Sequence, residues 1–140
     1  MVAGAAAIAF LRTLLVPVGS FRDGLASLAW GMPADSVVAI LGEPNRICTS
    51  GDVDHVPVAA PDSANVRRAL RAGTAERWVY TRRGGRRPVP RDSSPGCRAP
   101  SIATELGFDA RGRLAWYVRE MDQTDLRLDP ALVGPAVPRE

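Results

Sequence analysis

The chain has 140 residues, of which 46% are hydrophobic and 24% are charged, so it fits one globular domain rather than a disordered chain. Its formal net charge is +3, and all 18 basic residues are arginine. The lack of lysine excludes Schiff-base chemistry and any lysine nucleophile. Two cysteines and one histidine do not make up the Cys/His set of a structural zinc site.

The N-terminal segment is apolar: between residues 2 and 18, only Arg12 and Thr13 interrupt the apolar run. A spanning helix needs about 20 apolar residues, and a central arginine costs roughly 2.5–3.5 kcal/mol on insertion scales. The composition is closer to that of a secretory signal. We therefore expect export, with residues 1–19 as a signal-like or membrane-associated segment; packing as an ordinary helix is the alternative.

Helices are predicted in the first half of the remaining chain. Apolar residues at helical spacing favour one helix over 21–29 and a second over 33–41. Pro33 suits the first turn of the second helix, and a glycine–proline stop follows it. A short third helix, begun by Ser63 and ended by Gly73, is expected to be peripheral.

The apolar pattern then changes to a period of two, which predicts three strands near 76–83, 101–109 and 113–121. The last two strands are joined by residues 109–112, where Gly112 suits the positive-φ position of a bulged hairpin loop. The sequence therefore predicts a meander of antiparallel strands that contains this hairpin.

These elements predict an α+β fold, in which two N-terminal helices pack on a three-stranded antiparallel sheet in the order ααβββ. Because helix and hairpin must hide their apolar faces against each other, Leu41, Phe108 and Trp116 are expected to be buried together. The expected organisation is an apolar N-terminal segment over 1–19, one domain over 20–122 with Gly/Pro-rich inserts at 45–75 and 84–100, and a flexible Pro-rich tail over 123–140.

Three short motifs point to a known family. The chain has WGM at 30–32 followed by ILGEP at 40–44, then WVY at 78–80 and LGFDARGRL at 106–114. Together they resemble the helix signature, the strand and the hairpin of the SmpA/OmlA (BamE-like) domain family. The order and spacing of the three segments fit the two-helix, three-strand arrangement of that family over about residues 21–121.

The resemblance implies a non-catalytic binding or scaffold domain of the cell envelope, periplasmic or membrane-associated, similar to outer-membrane assembly factors. It also implies that the partner is an envelope protein or an anionic lipid surface rather than nucleic acid, and that no cofactor is needed. Two alternatives remain open. One is a basic nucleic-acid-binding module, and the other is a protein inhibitor of a secreted enzyme, because similar two-helix sheets occur in inhibitors.

Two groups of residues are candidates for partner contact. The arginines that follow the first strand form a basic loop, which suits phosphate or carboxylate groups but is also typical of a solvated loop. On the sheet, Tyr117 with Ala115 and Arg119 is expected to form a contact patch if one face stays partly open. The loop candidates are Arg82, Arg83, Arg86 and Arg87.

No motif for a catalytic serine, a zinc-dependent hydrolase or a phosphate-binding glycine loop is present, so we expect no enzyme. His55 follows Asp52 and Asp54 in a loop bounded by glycine and proline. Because this loop is not preorganised, we interpret His55 as a solvated residue rather than a metal ligand or an acid–base group.

Cys48 and Cys97 lie at the ends of the two predicted inserts, next to the predicted core. A disulfide between them would fasten segments that cannot stabilise themselves by packing, and it would require an oxidising compartment. We predict this disulfide; two unpaired thiols in a cytosolic protein are the alternative.

Overall fold

The computed structural model describes residues 21–59, 63–81 and 88–133. Its four helices there are α1 (Phe21–Ala26), α2 (Ala34–Leu41), α3 (Ser63–Gly73) and α4 (Pro130–Val133). Its six strands there are β1 (Arg46–Cys48), β2 (Glu76–Tyr80), β3 (Arg91–Asp92), β4 (Thr104–Phe108), β5 (Leu114–Val118) and β6 (Leu126–Leu128).

The strands form one mixed sheet in the order β3-β1-β2-β4-β5-β6. Strands β1 and β3 are parallel, and all other neighbours are antiparallel. The fold is α+β, but the predicted three-stranded antiparallel sheet of an ααβββ domain is wrong. The three predicted strands are the middle of the sheet as β2, β4 and β5, and each is shorter than its predicted range.

The additional strands come from segments that the sequence marks as irregular. Strands β1 and β3 lie within or beside the predicted inserts 45–75 and 84–100, and β6 lies in the predicted flexible tail. Each has only two or three residues, which is too short to display a period of two. Strands β1 and β6 pair with the longer strands β2 and β5, and β3 pairs with β1. The predicted flexible tail is thus ordered at least through Val133 in α4.

One face of the sheet is covered by α1 and α2, and we call it the helix face. The rings of Trp78 and Phe108 lie 4.5 Å apart on it, and Leu41 packs against them from α2 while remaining partly exposed. Its core consists entirely of large apolar and aromatic side chains: Leu25, Val37, Ile47, Trp78, Tyr80, Leu106, Phe108 and Leu114.

The opposite face, which we call the disulfide face, is covered by α3, by α4 and by the loops around Val53 and Ala99. Leu70 of α3 and Trp116 of β5 are both fully buried there. The rest of its core is built from smaller residues: Cys48, Val53, Val56, Val79, Cys97, Ala99, Ala103, Ala115, Val118 and Met121. Both faces of the central strands are therefore buried.

Trp116 lies on the disulfide face, whereas Phe108 and Leu114 lie on the helix face. The expectation that Leu41, Phe108 and Trp116 are buried together is therefore wrong. Phe108 pairs with Leu114 but Gly107 pairs with Trp116, so one extra residue of β5 sits between the two pairs. This bulge shifts the alternation of side chains between the two faces by one position, so Trp116 lies on the face opposite to Leu114.

The close fit of Trp116 depends on Gly107. A Cβ atom at position 107 would overlap the indole of Trp116, so only glycine leaves room for the ring. The buried indole Nε1 donates a hydrogen bond of 2.8 Å to Oγ1 of Thr74. A polar group in the core is thus satisfied within the protein.

The β4–β5 hairpin and its loop match the sequence prediction, with Gly112 at φ 73°. The hairpin also forms hydrogen bonds with the start of α2 and the segment before it. The Ala34 amide donates to the Gly112 carbonyl at 3.0 Å, and the Gly31 amide donates to the Leu114 carbonyl at 2.9 Å. Because Pro33 offers no side-chain cap, the hairpin supplies the partner for this helix N-terminus. The same contacts place Trp30 beside β5.

Candidate functional site

The predicted contact residues separate into two groups. Arg82, Arg83, Arg86 and Arg87 lie outside the described residues, so their part in an anionic contact stays a prediction. Tyr117 and Arg119 are described. Tyr117 lies on the helix face of β5 and is only partly buried.

Tyr117 is in ring contact with Trp30, which was not among the predicted contact residues. The ring of Trp30 lies 5.7 Å from the ring of Tyr117, and Trp30 is 37% exposed. Ala115, which was expected beside Tyr117, is buried on the disulfide face because of the β5 bulge. The aromatic pair is therefore Trp30 with Tyr117, and Ala115 is not part of the patch.

Arginines flank this aromatic pair. Arg127 of β6 is the direct partner of Tyr117 in the sheet, which places both side chains on the same face. Asp125 lies between Arg119 and Arg127, with an N–O distance of 3.6 Å to each. The Nε atom of Arg119 is enclosed but forms no hydrogen bond within the described residues.

We name Trp30, Tyr117, Arg119 and Arg127 the aromatic–arginine surface. One carboxylate, that of Asp125, serves two guanidinium groups, so the surface keeps a positive charge. Trp, Tyr and Arg are the residue types most enriched where proteins bind each other, because they combine large apolar contact with polar ends. The composition and exposure of this surface suit a partner with apolar and acidic groups.

Cys48 and Cys97 are joined by a disulfide in the structure, with their Cα atoms 5.7 Å apart. Both residues are buried, at 0% and 3% exposure. The bond connects β1 to the loop before β4 across 49 residues of sequence. The pairing predicted from the sequence is therefore present, and it fastens the two Gly/Pro-rich segments to the sheet.

A buried ionic cluster lies next to the disulfide. Arg77 of β2 and Glu105 of β4 are both completely buried, and Nη1 of Arg77 donates to Oε1 of Glu105 at 2.8 Å. Arg77 also donates to the Cys97 carbonyl at 2.7 Å and to the carbonyl and hydroxyl of Ser50 at 3.2 and 3.1 Å. Four of the five guanidinium N–H groups therefore have an acceptor, and the fifth, on Nη1, faces His55 Nε2 at 3.2 Å, which accepts this bond only in the tautomer that does not donate to Glu105.

The prediction that His55 is a solvated loop residue is wrong. Its side chain is only 11% exposed, and its Nε2 lies 2.9 Å from Oε2 of Glu105. The loop that carries it is preorganised after all, because Arg67 of α3 binds the carbonyl oxygens of Val53 and Val56 at 2.7 and 2.8 Å. The residues in these contacts are 11 to 50 positions apart in sequence, so no local sequence pattern indicates them.

An exposed ion pair borders the same loop. Arg71 of α3 binds Oδ1 of Asp54 through Nε at 3.1 Å and Nη2 at 2.7 Å. The hydrogen bond and the charge of Arg71 lower the pKa of Asp54 below its usual value, so this carboxylate stays ionised at neutral pH. The loop that carries His55 is therefore held by the Arg71–Asp54 ion pair as well as by the contacts of Arg67 with its backbone.

The polar groups of the buried cluster have their partners within the protein. Its guanidinium and carboxylate groups are directed at each other and at backbone groups. Within the described residues, no three His, Cys, Asp or Glu side chains are arranged to hold a metal ion. Among the same residues, no helix has the length and apolar character that crossing a bilayer requires.

No family model, no curated protein and no solved structure matches this chain. The resemblance to the SmpA/OmlA family therefore stays a prediction from the three sequence motifs.

Proposed function

We propose that the protein is a non-catalytic binding or scaffold domain of the cell envelope, which binds an envelope protein through the aromatic–arginine surface. The observation that carries the proposal is the partly exposed pair of Trp30 and Tyr117, whose tilted rings lie 5.7 Å apart, beside Arg119 and Arg127. Solvent exposure of a tryptophan costs free energy unless a partner covers it. A partner with an apolar side chain and a carboxylate would satisfy both parts of this surface.

The compartment is argued from the disulfide. Disulfides between buried cysteines persist in oxidising compartments and are rare in the cytosol of most organisms. The Cys48–Cys97 bond closes the disulfide face, so folding in a reducing compartment would leave two loops unfastened. This supports export, which the apolar composition of residues 1–19 also favours.

The absence of catalysis is part of the proposal, and the buried cluster supports it. A catalytic acid, base or nucleophile needs a face that a substrate can reach. Arg77 and Glu105 are fully buried and bind protein groups, and His55 directs Nε2 inward at Glu105. The most polar part of the interior is therefore occupied by its own contacts.

The proposal is tested in the native host with a photo-crosslinking amino acid at Tyr117. We expect one crosslinked envelope protein, together with oxidised cysteines when the fractionated cells are treated with a thiol-alkylating reagent. Trp30→Ala should abolish the crosslink without unfolding the domain, because Trp30 is partly exposed. Val133→Ala is the matched control, since Val133 is 45% exposed and lies on α4, which covers the opposite face of the sheet; it should leave the crosslink unchanged.

Three results would contradict the proposal. Free thiols in a cytosolic fraction would remove the envelope assignment. A crosslink that Trp30→Ala and Val133→Ala weaken equally would show that the aromatic–arginine surface is not the contact. A crosslink to nucleic acid would favour a basic nucleic-acid-binding module.

A further inference from the structure

The outer face of α3 carries a second cluster of arginines, on the other side of the sheet from Tyr117. Positions i, i+4 and i+8 of the helix place side chains above one another, so Ser63, Arg67 and Arg71 lie in one row with Ala64 and Arg68 beside them. These five residues line a shallow depression of about 330 Å³. The opposite side of the helix packs into the core through Leu70.

Arg67 is held in a fixed position. Its Nη1 donates to the carbonyl oxygens of Val53 at 2.7 Å and Asp54 at 3.2 Å, and its Nη2 donates to Val56 at 2.8 Å. A guanidinium that is already ordered loses less side-chain entropy when it binds a ligand. Its Nε is not used in these contacts.

The two neighbouring arginines have unused donors. Arg71 binds Asp54 through Nε and Nη2, which leaves its Nη1 for another group. Arg68 is exposed and forms no hydrogen bond or ion pair within the described residues. Among the described residues, Asp54 is the only carboxylate with a hydrogen bond to any of these three guanidinium groups, so the arginines keep a local excess of positive charge.

We propose that this depression binds a phosphate group, either as free phosphate or as the headgroup phosphate of an anionic lipid. A tetrahedral phosphate accepts hydrogen bonds on several sides at once, which suits three arginines that approach from one helix face. The Ser63 hydroxyl at the edge of the depression is a further donor. Asp54 competes for Arg71 and repels an anion, so it limits the affinity of the site.

This inference does not depend on the proposed function, because the site and the aromatic–arginine surface lie on opposite faces of the sheet. Its test needs no protein partner. The probes are inorganic phosphate and pyrophosphate, titrated calorimetrically at constant ionic strength against chloride, and vesicles of phosphatidylglycerol or of phosphatidylcholine in a sedimentation assay.

We expect Arg68→Gln to weaken binding of the effective probe at least fivefold, because Arg68 has no structural role that its loss would disturb. Asp54→Asn should strengthen it severalfold, since the repelling charge is removed while Arg67 still holds the loop. Arg111→Gln is the matched control: it removes the same charge at the exposed tip of the β4–β5 hairpin and should change binding less than twofold.

The probes separate the two sources. Binding of inorganic phosphate or pyrophosphate that Arg68→Gln weakens assigns the site to free phosphate. Binding to phosphatidylglycerol but not phosphatidylcholine vesicles, weakened by the same substitution, assigns it to a lipid headgroup. Equal losses in Arg68→Gln and Arg111→Gln, or no binding of any probe above chloride, would overturn the proposal.

Discussion

The two faces of the sheet reach the same degree of burial by different means. On the helix face, α1 and α2 cover a continuous set of aromatic and aliphatic side chains. On the disulfide face, α3 and α4 share the cover with loops, and a disulfide, a buried ion pair and a histidine hold these loops in place. The helices are fixed by apolar contact on both faces, whereas the loops of the disulfide face are fixed by specific bonds.

The largest expected effect concerns the buried ion pair. Arg77→Met should lower the free energy of unfolding by roughly 3–5 kcal/mol, because it leaves the completely buried Glu105 carboxylate without its main partner. Urea denaturation measures the change. The double variant Arg77→Met/Glu105→Leu removes both charges, and we expect it to regain most of the lost stability.

This pair of variants distinguishes two descriptions of the disulfide face. If the double variant is as unstable as Arg77→Met alone, the charges are not the main source of the loss, and the contacts of Arg77 with Ser50 and Cys97 hold the loops instead. A loss below about 1 kcal/mol in the single variant would contradict the complete burial of the pair.

The next effect concerns the disulfide. Replacing Cys48 and Cys97 by alanine should lower the free energy of unfolding by about 2–4 kcal/mol, since an unfolded chain without the cross-link gains loop entropy. The bond closes a span of 49 residues. Urea denaturation with and without reductant measures the effect, and reductant should not change the variant. An unchanged midpoint for the parent protein in reductant would show that the loops are held without the bond.

Part of the fold is predictable because its cause is local. The helices near 21–29, 33–41 and 63–73 have the apolar spacing and stop residues of short helices, and the β4–β5 hairpin has a glycine where its loop needs a positive φ. Strands β1, β3 and β6 are not predictable in this way. They have two or three residues each, so only pairing with a neighbouring strand makes them strands, and for β1 and β3 that neighbour is distant in sequence.

The burial of Arg77 and Glu105 on the disulfide face was not predicted, for a related reason. Arg77 and Glu105 alternate with apolar residues along β2 and β4, and charged residues in such a pattern normally face water. Here they face each other across neighbouring strands, 28 residues apart in sequence. A pattern shows which side chains share a face, but it does not show whether loops cover that face.

The candidate surface was predicted in part. Tyr117 and Arg119 were selected from the strand pattern, whereas Trp30 was assigned only to a family motif. Its position beside Tyr117 depends on hydrogen bonds from the segment before α2 to the hairpin, which join residues more than 75 apart. The turn glycines at 31 and 112 are the only local sign of this approach, and they do not identify its partner.

The smallest effect probes the helix face through the buried hydroxyl of Tyr80. Tyr80 donates a hydrogen bond of 2.8 Å to the Gly42 carbonyl at the end of α2. Burial, and then the negative charge of Glu43, raise the pKa of Tyr80 above its usual value. Since the native phenol keeps its proton where the unfolded one loses it, the stabilisation is complete below about pH 10 and is lost as pH rises beyond that.

Tyr80→Phe should therefore lower the free energy of unfolding by about 1 kcal/mol at pH 7, where it removes one hydrogen bond from an otherwise apolar face. Between pH 7 and 11, urea denaturation should show a smaller alkaline loss of stability in the variant than in the parent protein. Tyr117 is present in both proteins, so its contribution cancels in the difference. An equally steep loss in both would mean that the phenol of Tyr80 ionises freely in the native protein, and the helix face would then be more open to water than the contacts of α1 and α2 indicate.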